Sequence, residues 1–131
     1  PNIDASEFPD LVPIISLVAS ISNGTTVIYN AERLRYKESD RLASTCHVLK
    51  ALGANITETE DKLIIVGTKA LHGAYEGDGY GDHRIIMMLA VSSLVTAGTV
   101  KIHEASAASK SFPNFFEVLN KLGLDGNIEL A

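Results

Sequence analysis

The chain is poor in three things, and each shortage removes a class of function. It has one cysteine, Cys46, among 131 residues. A single thiol builds neither a disulfide framework nor a cysteine-pair metal motif, so a reducing compartment, the cytoplasm, is expected. Cys46 falls inside a helical pattern, where its ordinary role is that of a small buried hydrophobe. Long apolar runs are also missing. The two longest, Leu11–Ile21 and Ile85–Val95, fall short of the roughly 20 residues that span a bilayer. No basic segment precedes an apolar one at the start, so nothing reads as a signal peptide, and no membrane partner is expected. Third, positive charge is in deficit. A net charge of −5 argues against nucleic acid or an anionic membrane surface as partner. His47, His72 and His103 show no metal-ligand spacing, and no metal is expected.

What is present points to a globular chain. With 46% hydrophobic and 21% charged residues over one domain's length, it can bury a core. Its basic residues are few but clustered: Arg33, Arg35, Lys37 and Arg41 lie within nine positions. A locally basic stretch in an acidic chain suits a small anionic ligand better than a polyanion. The opening Pro1-Asn2-Ile3-Asp4 has no initiator methionine and reads as an internal cut from a longer polypeptide.

Apolar periodicity and breakers give an ordered map. Asp10 can cap a helix through Ile21, with Pro13 in its first turn, stopped by Asn23-Gly24. Thr25–Tyr29 is β-branched and predicts a strand. Ser39 or Asp40 can cap a helix through Leu52 that ends at Gly53. Ala54–Thr59 and Lys62–Val66 predict a hairpin around Glu60-Asp61. The order then recurs. Asp82 caps a helix over Ile85–Val95, Gly98 stops it, Thr99–His103 predicts a strand, and Lys110 and Ser111 precede a helix over Phe112–Leu122. The pairs Asp10/Asp82, Gly24/Gly98, Lys37/Lys110 and Gly53/Gly123 are each 70 to 74 residues apart. We therefore expect an α+β fold of two repeated βαβαββ units, at about 1–68 and 69–131. The helices at Leu11–Ile21 and Ile85–Val95 carry almost no charge on any face. Such helices must be covered all round, so they are expected inside, with sheets outside. Gly77, Gly79 and Gly81 alternate in Glu76–Asp82, which lacks the spacing of a dinucleotide fingerprint and reads as a mobile loop.

Two strings carry the chemistry: K-E-S-D-R at Lys37–Arg41 and D-H-R at Asp82–Arg84. Both mix charges of both signs and run straight into an apolar helix. Helix N-termini attract anions through unpaired N–H groups and the dipole, and Arg holds phosphate or carboxylate bidentately. If the helix starts face one side, Lys37, Arg41, Arg84 and Lys110 gather around a doubly anionic ligand, interleaved with Asp10, Glu38, Asp82 and His83. Carboxylates held among cations stay ionised and can move protons. The same residues have plainer readings. Glu38 and Arg41 at i,i+3 make a surface pair, Asp10 and Asp82 make N-caps, and His83 is solvated.

These motifs resemble a known family. L-R-Y-K-E-S-D-R-L (Leu34–Leu42), G-D-H-R-I (Gly81–Ile85), K-S-F-P-N-F-F (Lys110–Phe116) and F-P-D-L-V-P (Phe8–Pro13) are similar to the C-terminal part of the 5-enolpyruvylshikimate-3-phosphate synthases (3-phosphoshikimate 1-carboxyvinyltransferases). The resemblance implies βαβαββ units with inner helices, and two of the three units of a C-terminal domain in this chain. It implies transfer of the enolpyruvyl group of phosphoenolpyruvate to the 5-hydroxyl of shikimate 3-phosphate, without a metal or organic cofactor. By motif, Asp10 resembles the carboxylate that binds shikimate hydroxyls and serves as base, and Glu38 the proton donor and acceptor for the methylene carbon. Lys37 resembles a shikimate-phosphate contact. Arg41, Arg84 and Lys110 resemble the cations on phosphoenolpyruvate, with His83 beside them, and Asp82 resembles the cap that orients the D-H-R turn. The family's asparagine contact to shikimate phosphate has no match, since Leu34 stands at about that position. The remaining ligands belong to an N-terminal domain that this chain lacks, so alone it is expected to be inactive. Two rivals remain: a UDP-N-acetylglucosamine enolpyruvyl transferase, and a non-catalytic anion-binding module.

Overall fold

Alternation of inward and outward side chains sets the first sheet. In the computed structural model, which describes residues 1–103, 117 and 128–130, strands β1 (Asn2–Asp4), β2 (Thr25–Tyr29), β3 (Asn55–Glu58) and β4 (Leu63–Val66) lie in the order β1-β2-β4-β3. β1 runs parallel to β2, and the other pairs are antiparallel. The register places Thr26, Ile65 and Ile56 in one row across β2, β4 and β3, and all three are buried. Their neighbours Thr25, Val66 and Asn55 face out, as a sheet with one covered face requires. β3 and β4 form the expected hairpin, closed by the Thr59 N–H donating to the Lys62 carbonyl.

The second sheet holds β5 (Tyr75–Asp78), β6 (Val100–His103) and β7 (Ile128–Leu130), all parallel. β1–α1–β2 and β5–α3–β6 are the same device, a parallel pair joined by a helix: α1 is Val12–Ser20 and α3 is His83–Ser92. The sheets differ beyond that. β4 pairs antiparallel with β2, whereas β7 pairs parallel with β6. The helix expected at 112–122 lies outside the described residues except for Glu117, which is helical.

Helix α2 (Arg41–Ala51) begins at Asp40, whose carboxylate accepts from the Ala43 N–H at 3.1 Å. It ends in a Schellman arrangement: Gly53 at φ +97° donates to Lys50, and Ala54 donates to Leu49. α1, α2 and α3 pack on one another between the sheets. Ile85, Ile86, Met88 and Leu89 of α3 are fully buried, and so are Leu42, Val48 and Leu49 of α2.

Three expectations need correction. α1 is not covered all round: Val18 is 55% exposed, and Ile14 and Ile15 are half-buried along a groove with Pro1 and Ile3. Lack of charge marks a helix face that can be buried without showing that this segment buries it. Its interior polar groups are self-satisfied, with Ser16 and Ser20 hydroxyls donating to the carbonyls of Val12 and Ser16. Asp10 does not cap α1; it lies in a 3-10 turn, Pro9–Leu11, and the cap position is Leu11. Third, the glycine-rich stretch begins as strand β5. Its glycines answer to crowding: a Cβ on Gly77 would meet the Tyr75 hydroxyl at 2.8 Å, and one on Gly79 would meet Ile86 Cγ1 at 2.1 Å. The Tyr75 ring turns back over Gly77 so that its hydroxyl donates to the Asp78 carbonyl.

Candidate functional site

Three helix starts converge. Asp10 precedes α1, Glu38 and Arg41 stand at the start of α2, and Asp82, His83 and Arg84 stand at the start of α3. Their meeting point is the Arg41 guanidinium, 1% exposed. Its Nε donates to Asp82 Oδ2 at 2.8 Å, and Nη2 donates to Asp82 Oδ1 at 3.0 Å, a bidentate pair. Nη2 also donates to Glu38 Oε2, and Nη1 donates to Asp10 Oδ1 at 3.1 Å. One guanidinium thus carries three carboxylates, each from the start of a different helix.

Asp82 is fully buried and has two jobs. As the expected cap of α3, its Oδ1 accepts from the Arg84 N–H at 2.9 Å. As counter-ion, it accepts from Arg41 and from the Ser39 hydroxyl at 2.9 Å, and Ser39 in turn accepts from Ser44 at 2.9 Å. Burial pushes the Asp82 carboxyl up, but the bonds from Arg41 and Ser39 outweigh it and hold the group below its ordinary value. Burial likewise opposes the charge on Arg41, and the bond and charge of Asp82 more than restore it. Asp82 therefore stays ionised in a place where it would not alone.

The other expected residues fall into three groups. Arg84, with its side chain 30% exposed, approaches Asp10 Oδ2 at 3.6 Å, and its buried Nε has no partner among the described residues. It keeps donors free for a ligand. His83 is half-buried rather than solvated, and its Nδ1 also lacks a partner among the described residues. Lys37 is exposed beside Glu38, with no ion pair among the described residues. Lys110 lies outside the described residues.

Sequence reasoning missed two features. It placed Arg41 at the ligand without the three carboxylates that surround it, which take four of its five N–H donors and leave one on Nη1. It also missed that Asp82 is more than a cap. A signal existed: an Asp between a turn and an apolar helix is set to be buried, and a buried carboxylate needs a cation. Arg35, counted in the basic cluster, is structural. It pairs with Asp40 and Glu58 and donates to the Thr59 and Glu60 carbonyls, tying the β3–β4 turn to the start of α2.

Glu38, Asp82 and His83 place ligand atoms within 4.8 Å of one another, the spacing of a metal site. The chemistry of the set disfavours one, because both Asp82 oxygens already accept from the Arg41 cation, against which a metal ion would have to sit.

Comparison with known proteins identifies the family. The family model described as EPSP synthase (3-phosphoshikimate 1-carboxyvinyltransferase) matches residues 2–119. The chain belongs to the EPSP synthase family. A 3-phosphoshikimate 1-carboxyvinyltransferase from Clostridium acetobutylicum is 49% identical over 123 residues, 94% of this chain. One from Clostridium botulinum is 48% identical over 121 residues, 92% of this chain. In both, the match spans only 28% of the relative's own length. The solved EPSP synthase structure from Acinetobacter baumannii superimposes with a TM-score of 0.73 at 33% identity, covering 84% of this chain and 26% of that one. The α+β fold of inner helices and outer sheets is therefore that of a fragment of an EPSP synthase. Among the described residues, no helix is long and apolar enough to cross a membrane.

Proposed function

We propose that this chain supplies part of the active site of an enzyme that transfers the enolpyruvyl group of phosphoenolpyruvate to the 5-hydroxyl of shikimate 3-phosphate. The observation that carries the reading is that Asp10 and Glu38, from two different helix starts, are hydrogen-bonded to one guanidinium. Two carboxylates held on one cation, with a second arginine at hand, are what an addition and elimination at one carbon require.

In the addition, Asp10 takes the proton of the acceptor hydroxyl as its oxygen bonds to C2 of phosphoenolpyruvate, and Glu38 delivers a proton to C3. The product is a tetrahedral adduct bearing a methyl group. In the elimination, Glu38 takes a proton back from that methyl, the C2–C3 double bond re-forms, and phosphate leaves with the C–O electron pair. Arg84 and Lys110 hold the phosphoenolpyruvate anion, His83 lines it, and Arg41 joins through its Nη1 edge when Asp10 turns to the acceptor. Lys37 meets the acceptor's phosphate. No cofactor is required for this sequence.

Charge supports a division of labour with the rest of a longer protein. In the described site, three carboxylates face two guanidiniums, close to balance, so a doubly charged anion needs cations from elsewhere. Units at about 1–68 and 69–131 would then be two parts of one C-terminal domain completed by an N-terminal one. Its lone, buried Cys46, whose thiol is pushed up by burial, suits the reducing cytoplasm. The test is phosphate release by a full-length polypeptide carrying this segment, given phosphoenolpyruvate with either shikimate 3-phosphate or UDP-N-acetylglucosamine. Turnover with the first acceptor only is expected; turnover with the second only, or with neither, refutes the reading.

A further inference from the structure

We infer that Asp82 is a positioning residue: through a buried bidentate bond it fixes the plane of the Arg41 guanidinium, and thereby where Asp10 and Glu38 stand. The inference rests on the proposed enolpyruvyl transfer for its catalytic meaning, but its geometry stands independently. A guanidinium is planar, with its five N–H bonds in a fixed fork. Once Nε and one N–H of Nη2 are committed to Asp82, the directions of the rest are settled, and they point at Asp10 and Glu38. Asp82 is itself held, because the Arg84 N–H donates to one of its oxygens and the Ser39 hydroxyl to the other, and Ser44 holds Ser39. Asp82 and Arg41 lie 41 residues apart, at the starts of α3 and α2, so the bond also joins the two sheet-and-helix assemblies at the site. An ion pair buried this deeply adds little net stability. Its constraint on geometry is the stronger reason for it.

The charged and titratable groups around the pair are Asp10, Glu38, His83 and Arg84. Removing the Asp82 charge loosens the hold on Nε and one N–H of Nη2, so the Arg41 fork can turn away from Asp10 and Glu38. In a full-length polypeptide carrying this segment, Asp82→Asn should therefore lower kcat on the order of 100-fold, the usual effect of misplacing catalytic groups by about 1 Å, with KM for phosphoenolpyruvate changed by less than about twofold. Ser39→Ala, which removes one support and keeps the ion pair, should lower kcat less, again with KM nearly unchanged, and it serves if the Asn variant does not fold. A purely structural Asp82 would lower the active fraction and leave kcat per folded molecule where it was; that result overturns the inference. A second readout needs no catalysis. In this chain, the Arg41 Nε–H should exchange slowly in heteronuclear NMR and lose that protection in Asp82→Asn; rapid exchange in the unmodified chain overturns the inference too. Slow exchange without enolpyruvyl transfer would sink the functional reading and leave the positioning intact.

Discussion

Arg41 and Asp82 enter the interior as full charges, and the cost of separating them is the sharpest consequence at the scale of single residues. Arg41→Ala leaves a buried carboxylate with only Ser39 and a backbone N–H for company. The expected loss is about 3–5 kcal/mol in urea unfolding. A loss under about 1 kcal/mol would place the pair in water, where exposed ion pairs are worth that little. The pH dependence follows from the sign of the shift. The Asp82 carboxyl is held below its ordinary value in the folded chain, so its contribution is complete above the unfolded value near 3.9 and is lost as pH falls through the folded one. The urea midpoint of the unmodified chain should therefore fall more steeply below about pH 4 than that of Asp82→Asn, measured by circular dichroism. Parallel slopes would contradict the assignment. The local partnerships were legible beforehand, Glu38 with Arg41 at i,i+3 and Asp82 as a cap. The pairing of Arg41 with Asp82 was not, because it joins residues 41 apart and no local pattern encodes it.

Elements were more legible than pairings, because caps and breakers act locally. Asp40 and Gly53 bound α2, and Asp82 caps α3, for the reasons their side chains and backbone angles supply. The failures have a common physical cause, namely that a neighbour from elsewhere in the chain overrides local preference. Gly77 disfavours a strand on propensity, yet it lies in β5, where the Tyr75 ring fills the space a side chain would need, as Ile86 does at Gly79 just beyond the strand. Asp10 suits a cap, yet its carboxylate is drawn to Arg41 and Arg84. The crowding at Gly79 has its own test. Gly79→Ala drives a methyl into Ile86 and should cost about 1–3 kcal/mol. Pairing it with Ile86→Ala should make the glycine substitution nearly neutral against the Ile86→Ala background, measured by thermal unfolding. An equal cost in both backgrounds would assign Gly79 some other role.

At the scale of the whole molecule, motif order pointed to an α+β fold of inner helices and outer sheets, and the comparisons place the chain in its family. What they could not give was the openness of α1, whose apolar residues are the same whether or not a neighbour covers them. The chain spans 28% of the length of the curated relatives above, and its described site is close to charge balance, so the 131-residue chain alone should show no measurable turnover. Steady-state phosphate release checks this, and turnover by the chain alone would contradict it. Among the described residues, Arg84 has donors left over. The central claim is that helix starts from both halves of the chain gather charges around one small dianion. It is tested most directly by the kinetics of Arg84→Ala in a full-length polypeptide carrying this segment. Loss of one or two charge-assisted hydrogen bonds at roughly 1.5–3 kcal/mol each predicts a KM for phosphoenolpyruvate raised at least about tenfold, with KM for shikimate 3-phosphate nearly unchanged. An equal rise for both substrates, or no rise for either, would contradict it.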